Sequence, residues 1–187
     1  MDLPAPSEQV LIVYSTTDGH TRKICQRLQQ GIEQAQHTVQ LLSISALPEP
    51  LPSFDRIIIG ASVRYGKHSK AVGEFMEAHK QLLMAKPAAF FSVNLVGRKP
   101  QKASADTNPY LKKFLLALSW RPALATVFAG RLDYPSYFLS DRLLIRLIMW
   151  MTGGPTDPAT VVEYTDWKKV DEFGRKVLAL PTPTGRH

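Results

Sequence analysis

Five short apolar runs recur along the chain, separated by segments in which apolar residues have helical spacing. The runs lie at residues 9–14, 37–42, 56–61, 88–95 and 124–130. Continuous apolar runs of this length are typical of strands buried on both faces of a parallel sheet. Between them, apolar residues that repeat every three or four positions predict helices. The clearest helical positions are Ile24, Leu28 and Ile32, and then Val72, Phe75, Met76, His79 and Leu83.

Polar residues mark the start of two further helices. Asn108 followed by Pro109 is a favourable N-cap and first-turn pair, which predicts a helix through Leu118. Thr165 and Asp166 similarly introduce a final helix. Strands therefore alternate with helices, and this alternation predicts a doubly wound α/β domain.

One segment, residues 131–158, does not fit the alternation. It contains an apolar, helix-like stretch at 137–151, and a strand pattern returns at 160–164. The simplest interpretation is a fifth strand that is split by a long insertion. With 187 residues, 44% of them apolar, the chain has the size of a single domain, 1–187, with its core at about 9–180.

The net charge limits the kinds of partner that the protein binds, and the cysteine content indicates the cellular compartment. The formal charge of +7 indicates an anionic partner, which leaves a membrane surface, nucleic acid, or a ligand with carboxylates or phosphates open. Cys25 is the only cysteine, so a reducing compartment is expected. Residues 1–9 lack the pattern of a secretory signal, which favours the cytoplasm. The stretch 137–151 would be about 22 Å long as a helix, too short for about 30 Å of hydrocarbon.

The first predicted strand leads into a hydroxyl-rich loop and then a helix. Such a loop can place hydroxyls, backbone N–H groups and the positive end of a helix around a phosphate. A polar turn with an ordinary N-cap explains the same pattern, so both interpretations stay open at this point. There is no P-loop and no dinucleotide fingerprint, which disfavours ATP and dinucleotides. The loop residues are Ser15, Thr16, Thr17, Asp18, Gly19, His20 and Thr21.

This loop resembles the phosphate loop of flavodoxins, T-x-T-G-x-T, at Thr16, Gly19 and Thr21. Asp18 stands where the middle threonine is expected. A carboxylate would repel a phosphate, so we expect Asp18 to cap the helix or to point away, and Thr17 to replace the missing hydroxyl.

The closer resemblance is to the flavodoxin-type, quinone-dependent protoporphyrinogen IX dehydrogenases of bacterial haem biosynthesis. It rests on YSTTDGHT at 14–21, IGASVRYGKHS at 59–69, FFSVNLVGRKP at 90–100, and MTGGPTD with EYTDW within 151–167. The resemblance implies a five-stranded parallel sheet in the order 2-1-3-4-5, and FMN as the cofactor. Long-chain flavodoxins have a split fifth strand, which agrees with the interruption at 131–158.

In such sheets, as in flavodoxin itself, ligands bind beyond the carboxyl ends of the strands where the strand order reverses. Two further loops should meet the phosphate loop there and hold the flavin ring. They contain Ser62, Val63, Arg64, Tyr65 and Gly66, and Asn94, Leu95, Val96 and Gly97. Of these, Tyr65 is the best candidate for stacking on the ring.

Several cations lie close to or after these loops. The default interpretation is a solvated basic surface. Alternatively they meet the propionates of a porphyrinogen or the head groups of an anionic membrane, where each cation contributes about 1 kcal/mol. The apolar stretch 137–151 is either a core helix, a membrane-interface helix or a subunit contact, which leaves a homo-oligomer open. The cations are Arg98, Lys99, Lys102, Arg131, Arg142 and Arg146.

The resemblance implies an FMN enzyme that oxidises protoporphyrinogen IX in two-electron steps and reduces menaquinone or ubiquinone. No side-chain acid or base is assigned, because the flavin carries the redox chemistry, and no metal site is expected. Such an enzyme is expected in the cytoplasm, attached peripherally to the cytoplasmic face of the inner membrane. The alternatives are a flavodoxin-like electron carrier, against which the +7 charge argues, and a cofactor-free basic module. The sequence contains no recognised nucleic-acid motif.

Overall fold

Eight strands and six α-helices make up the computed structural model, which describes residues 7–183. The strands are β1 (Gln9–Ser15), β2 (Thr38–Ser43), β3 (Arg56–Arg64), β4 (Lys67–His68), β5 (Ala88–Asn94), β6 (Leu124–Ala129), β7 (Arg131–Asp133) and β8 (Val161–Glu163). The helices are α1 (His20–Gln34), α2 (Lys70–Ala78), α3 (Lys80–Ala85), α4 (Pro109–Ala117), α5 (Leu139–Met151) and α6 (Trp167–Leu178). The outermost residues of the predicted domain, 1–6 and 184–187, lie outside the described part.

Five parallel strands form the central sheet in the order β2-β1-β3-β5-β6. The predicted order 2-1-3-4-5 is confirmed, because the additional strand β4 is a two-residue hairpin partner of β3. Alternate residues of each strand face opposite helical layers. Val10 and Ile12 pack with α1 and α6, whereas Leu11 and Val13 pack with α2, α3 and α4. All seven residues of β5 are buried, as expected for an inner parallel strand.

The helix starts at Asn108 and Asp166 are confirmed. The Asn108 side chain accepts hydrogen bonds from Tyr110 N and Leu111 N, and the Asp166 side chain accepts from the corresponding amides of α6. The predicted helical face at 72–83 is divided between α2 and α3, because the backbone leaves the helical region at His79 (φ −101°, ψ 15°).

The predicted insertion is present, but Val161–Glu163 does not resume the edge strand of the central sheet. Instead β8 pairs antiparallel with β7 in a separate two-stranded sheet. Residues 131–163, hereafter the excursion, form the segment that leaves the central sheet and returns to it. The physical reason for the separate pairing is that the excursion starts and ends at the same place, because Tyr164 N donates to Gly130 O at 3.1 Å. The returning chain therefore runs back along the departing chain. The excursion has a small core of its own, formed by Leu132, Tyr134, Tyr137 and Met149.

Candidate functional site

The structure brings the three predicted loops together at the carboxyl edge of the sheet. A pocket of about 130 Å³ lies between the loop at 62–66, the residues at 93–96 and Asp18. Helix α5 closes its remaining side with Leu144, Ile145 and Ile148. A second cavity of about 320 Å³ borders Gly19 and His20 on the other side of Asp18. The excursion therefore forms one wall of the site, a role that the sequence pattern did not indicate.

The phosphate loop contains two buried hydroxyls without a partner. Thr16 Oγ1 and Thr21 Oγ1 are buried and make no hydrogen bond with any residue of the described chain. Helix α1 begins directly after Gly19, which adopts the left-handed conformation (φ 78°), and no side chain caps its first turn. Buried hydroxyls and free amides at a helix N-terminus are donors that a phosphate satisfies. The residues present therefore fit the phosphate of FMN.

Asp18 does not cap α1, so the first of the two alternatives expected for it is wrong, and the alternative that it points away from the phosphate remains. The N-cap position is Gly19, one residue later, and the Asp18 carboxylate instead accepts a hydrogen bond from Arg64 Nη1 at 3.1 Å. Burial raises the pKa of Asp18, while the charge of Arg64 acts in the opposite direction. The arginine thus compensates the carboxylate that replaces a threonine beside the phosphate position. Thr17 is exposed.

His20 lies at the start of α1, and its side chain binds Thr165. Its Nε2 is 2.6 Å from Thr165 Oγ1, and this hydroxyl donates to Ala129 O at 2.7 Å. Because the threonine proton is used on Ala129, His20 Nε2 is the donor of the pair. Burial lowers the pKa of His20. The imidazole therefore ties α1 to the returning end of the excursion.

Tyr65 occupies a tight hairpin at the second loop. Arg64 pairs with Lys67 across β3 and β4, which leaves Tyr65 (φ 49°) and Gly66 (φ 76°) as the two turn residues. Positive φ at both positions is the geometry that two-residue hairpins require. The Tyr65 side chain is 63% exposed, and its hydroxyl donates to Asp141 of α5.

Asp141 is a site residue that the sequence analysis missed. Its carboxylate accepts hydrogen bonds from both Tyr65 Oη and Arg64 Nη2, although the residue is only 8% exposed. The hydrogen bond from Tyr65 lowers the pKa of Asp141, and Arg64 reinforces this effect. The only sequence signal was an acid inside a strongly apolar stretch.

Asn94 shapes the third loop instead of facing the pocket with its side chain. Asn94 Oδ1 accepts from Gly97 N and from Asn108 Nδ2, both at 3.0 Å, and Asn94 Nδ2 donates to Ser92 Oγ at 3.0 Å. Position 97 requires a glycine for steric reasons, because a Cβ there would lie 2.8 Å from Val127 Cγ1. The loop therefore offers its backbone to a ligand.

Most of the predicted cations bind the protein's own carbonyl groups or acids. Arg98 donates to Leu95 O at 2.9 Å and to Thr152 Oγ1 at 2.8 Å, which joins the third loop to the end of α5. The guanidinium groups of Arg142 and Arg146 bind carbonyl oxygens within the excursion, and Arg131 pairs with Asp133 at 2.7 Å. Within residues 7–183, the Lys99 and Lys102 side chains make no hydrogen bond or ion pair.

The outer face of α5 is apolar and exposed, so this helix is not a core helix. No helix among residues 7–183 has the length and apolarity needed to cross a bilayer. The exposed large residues on and beside it are Phe138, Leu139, Leu143, Leu144, Leu147, Trp150 and Met151.

Three loops at the switch point of a 2-1-3-4-5 parallel sheet, one of them with free donors at a helix N-terminus, define a flavodoxin-type α/β protein. A family model described as a flavodoxin domain matches residues 11–159. The crystal structure of oxidised flavodoxin 1 from Bacillus cereus aligns with a TM-score of 0.54 at 16% identity, covering 91% of this chain and 97% of that one. Flavodoxin 2 from the same organism aligns with a TM-score of 0.52 over 91% and 98% at 16% identity. The flavodoxin fold is confirmed.

Curated relatives identify a narrower family than the flavodoxin domain model and the flavodoxin structures do. Protoporphyrinogen IX dehydrogenase (quinone) of Escherichia coli K12 is 43% identical over 173 residues, which cover 92% of this chain and 96% of the relative. The protein of the same name from Leishmania major is 41% identical over 183 residues, 96% of this chain and 78% of the relative. The chain therefore belongs to the flavodoxin domain family and, within it, to the quinone-dependent protoporphyrinogen IX dehydrogenases. The resemblance inferred from the four sequence blocks is confirmed.

Proposed function

We propose that this chain binds FMN, oxidises protoporphyrinogen IX to protoporphyrin IX and transfers the electrons to a membrane quinone, menaquinone or ubiquinone, in haem biosynthesis. The names of the relatives support the substrate and the acceptor. The observation that carries the cofactor assignment is the pair of unpartnered hydroxyls, Thr16 Oγ1 and Thr21 Oγ1, beside the N-terminus of α1. When bound, FMN supplies the redox chemistry.

The protein's own residues bind and orient the cofactor. Residues 15–21 hold the phosphate, with Thr16 and Thr21 as the hydroxyl donors. Residues 62–66 and 94–97 hold the ring, on which Tyr65 stacks, since its side chain remains exposed after its hydroxyl has bound Asp141. Helix α5 excludes water from one side of the pocket with apolar side chains.

Purification and one assay test this proposal. We expect the full chain to retain FMN, recognised by its visible absorbance, and to form fluorescent protoporphyrin IX from protoporphyrinogen IX when a quinone is added. Retained FMN without porphyrin formation would instead favour the flavodoxin-like electron carrier. A colourless protein that takes up no FMN would contradict the cofactor assignment.

We further propose that the enzyme works while attached to the cytoplasmic face of the inner membrane, through α5. Its outer face is apolar and its inner residues line the pocket, so one helix connects the lipid phase, where a quinone dissolves, with the ring site. The formal charge of +7 favours an anionic surface. Of the six cations predicted from the sequence, Lys99 and Lys102 are the two whose side chains have no partner within residues 7–183, which leaves them available for propionates or lipid head groups.

Two substitutions on α5 test the attachment. We expect the double variant Leu143→Glu with Leu147→Glu to bind vesicles of phosphatidylcholine and phosphatidylglycerol at least ~10-fold less than wild type, because it removes apolar area and adds two negative charges. Co-sedimentation with vesicles measures this.

Leu116→Glu on α4 is the matched control, since Leu116 is as exposed as Leu143 but lies on another helix. We expect it to bind vesicles like wild type. Equal losses in Leu116→Glu and in the double variant, or wild-type protein that stays in the supernatant, would contradict attachment through α5.

A further inference from the structure

We infer that Asp141 is a positioning residue for the flavin ring: it holds Tyr65 and Arg64 at the pocket, so that the excursion governs how the ring is stacked. The inference rests on the proposed function, because it concerns the same site. None of the four sequence blocks that carry the resemblance includes Asp141, and the contact arises only when α5 folds over the loop at 62–66.

The first step is the need for a restraint on Tyr65. Its backbone is in the left-handed region (φ 49°), which is unfavourable for a residue with a bulky side chain. The side chain is mostly exposed, so packing restrains its orientation little. Two directed contacts hold this side chain: its hydroxyl donates to Asp141, and the Arg64 guanidinium lies over its ring while also donating to Asp141. The stacking geometry of Tyr65 therefore depends on Asp141.

The second step is the stability of the Asp141 carboxylate itself. Asp141 is the third residue of α5, where the positive end of the helix favours a negative charge. Its partner Arg64 also binds Asp18, so a continuous chain of charged contacts runs from α5 to the phosphate loop. The Arg64 guanidinium lies over the Tyr65 and Tyr137 rings, at 5.5 and 5.6 Å from their centroids. Asp141 is thus fixed on a helix. It contacts the predicted ring loop directly through Tyr65, and it is connected to the predicted phosphate loop through Arg64 and Asp18.

The experiment compares Asp141→Asn, Tyr65→Phe and the double variant in the FMN-loaded full chain. The readouts are the dissociation constant for FMN and the induced circular dichroism of the bound isoalloxazine, which reports how the ring is stacked. We expect each single variant to weaken FMN binding about three- to tenfold and to change the dichroism in the same way. Asp141→Asn replaces the charged acceptor by a neutral one and Tyr65→Phe removes the donor. Because both changes weaken the same hydrogen bond, the loss in the double variant should be smaller than the product of the two single losses.

Asp171→Asn is the matched control, because Asp171 also pairs with an arginine, Arg27 at 2.8 Å. This pair joins α6 to α1, and neither residue lines the pocket beside Tyr65. It should leave both readouts at wild-type values. Wild-type readouts from Asp141→Asn or Tyr65→Phe, or multiplying losses in the double variant, would overturn the inference. If Asp141→Asn does not fold, Tyr65→Phe decides alone, since its aromatic ring is retained. Failure of the wild type to bind FMN would instead contradict the proposed function.

Discussion

Thr21→Val is expected to weaken FMN binding about 10- to 100-fold and to leave the FMN-free protein as stable as wild type or more so. A hydrogen bond to a charged phosphate contributes about 1.5–3 kcal/mol, which gives the expected loss of affinity. Without FMN, the Thr21 hydroxyl is buried and has no partner in the described chain, so a methyl group of the same shape removes a desolvation cost of about 1 kcal/mol. Opposite signs in the two states are characteristic of a ligand-binding hydroxyl.

FMN fluorescence titration and thermal unfolding with and without FMN measure both effects. Thr16→Val should behave in the same way. Thr17→Val tests the third hydroxyl of the same loop: because Thr17 is exposed and Thr16 and Thr21 supply the buried donors, we expect this variant to remain within about twofold of wild type. A larger loss in Thr17→Val than in Thr21→Val would show that the phosphate uses the replacement hydroxyl expected from the motif. Destabilised FMN-free Thr21→Val would indicate a structural role for this hydroxyl.

Asn108→Ala is expected to lower the free energy of unfolding by about 2–4 kcal/mol and to weaken FMN binding as well. The variant loses a helix cap, worth about 1 kcal/mol. It also leaves Asn94 Oδ1 and Lys102 O without their donor, Asn108 Nδ2, in a buried place. Asn94 Oδ1 keeps its hydrogen bond from Gly97 N, but the Asn94 side chain is held less firmly without Asn108, which weakens the support of the ring loop. Urea unfolding and FMN titration measure the two effects.

Asp166→Ala separates the cap from the network. Asp166 caps α6 through the same pair of amides, but it is exposed and has no buried partner. We expect this control to lose only about 1 kcal/mol and to bind FMN normally. Equal losses in the two variants would mean that Asn108 acts as a cap alone and that the Asn94 contact contributes nothing.

Predictions from sequence succeeded where a local pattern has one physical interpretation. The buried inner strands β1, β3 and β5, the apolar face of α1 and the cap at Asn108 each follow from neighbouring residues, and the structure contains all three, whereas no residue of the edge strand β2 is buried. Val161–Glu163 shows where this fails. Its pattern indicates a strand, but a pattern does not specify which edge a strand pairs with, and β8 pairs with β7 because the chain returns to Gly130.

The candidate site likewise contains features that follow from neighbouring residues and features that depend on distant ones. Residues 15–21 were recognisable because a phosphate loop is continuous in sequence, and the relatives confirm the family that this loop and the other blocks indicated. Asp18 illustrates the limit, since its replacement of a threonine was visible but its partner, Arg64, is 46 residues away. Asp141 was missed, because its contact with Tyr65 spans 76 residues.

The sequence by itself therefore determined the strand and helix pattern and the caps at Asn108 and Asp166, and it indicated the loop at 15–21 as a candidate phosphate site, because these depend on residues a few positions apart. Only the tertiary structure decided that the excursion pairs with itself, that α5 forms a wall of the pocket, and that the arginines at 98, 142 and 146 bind carbonyl groups of the protein. The physical reason is that hydrogen bonds and charge pairs between distant segments exist only after the chain has closed around its core.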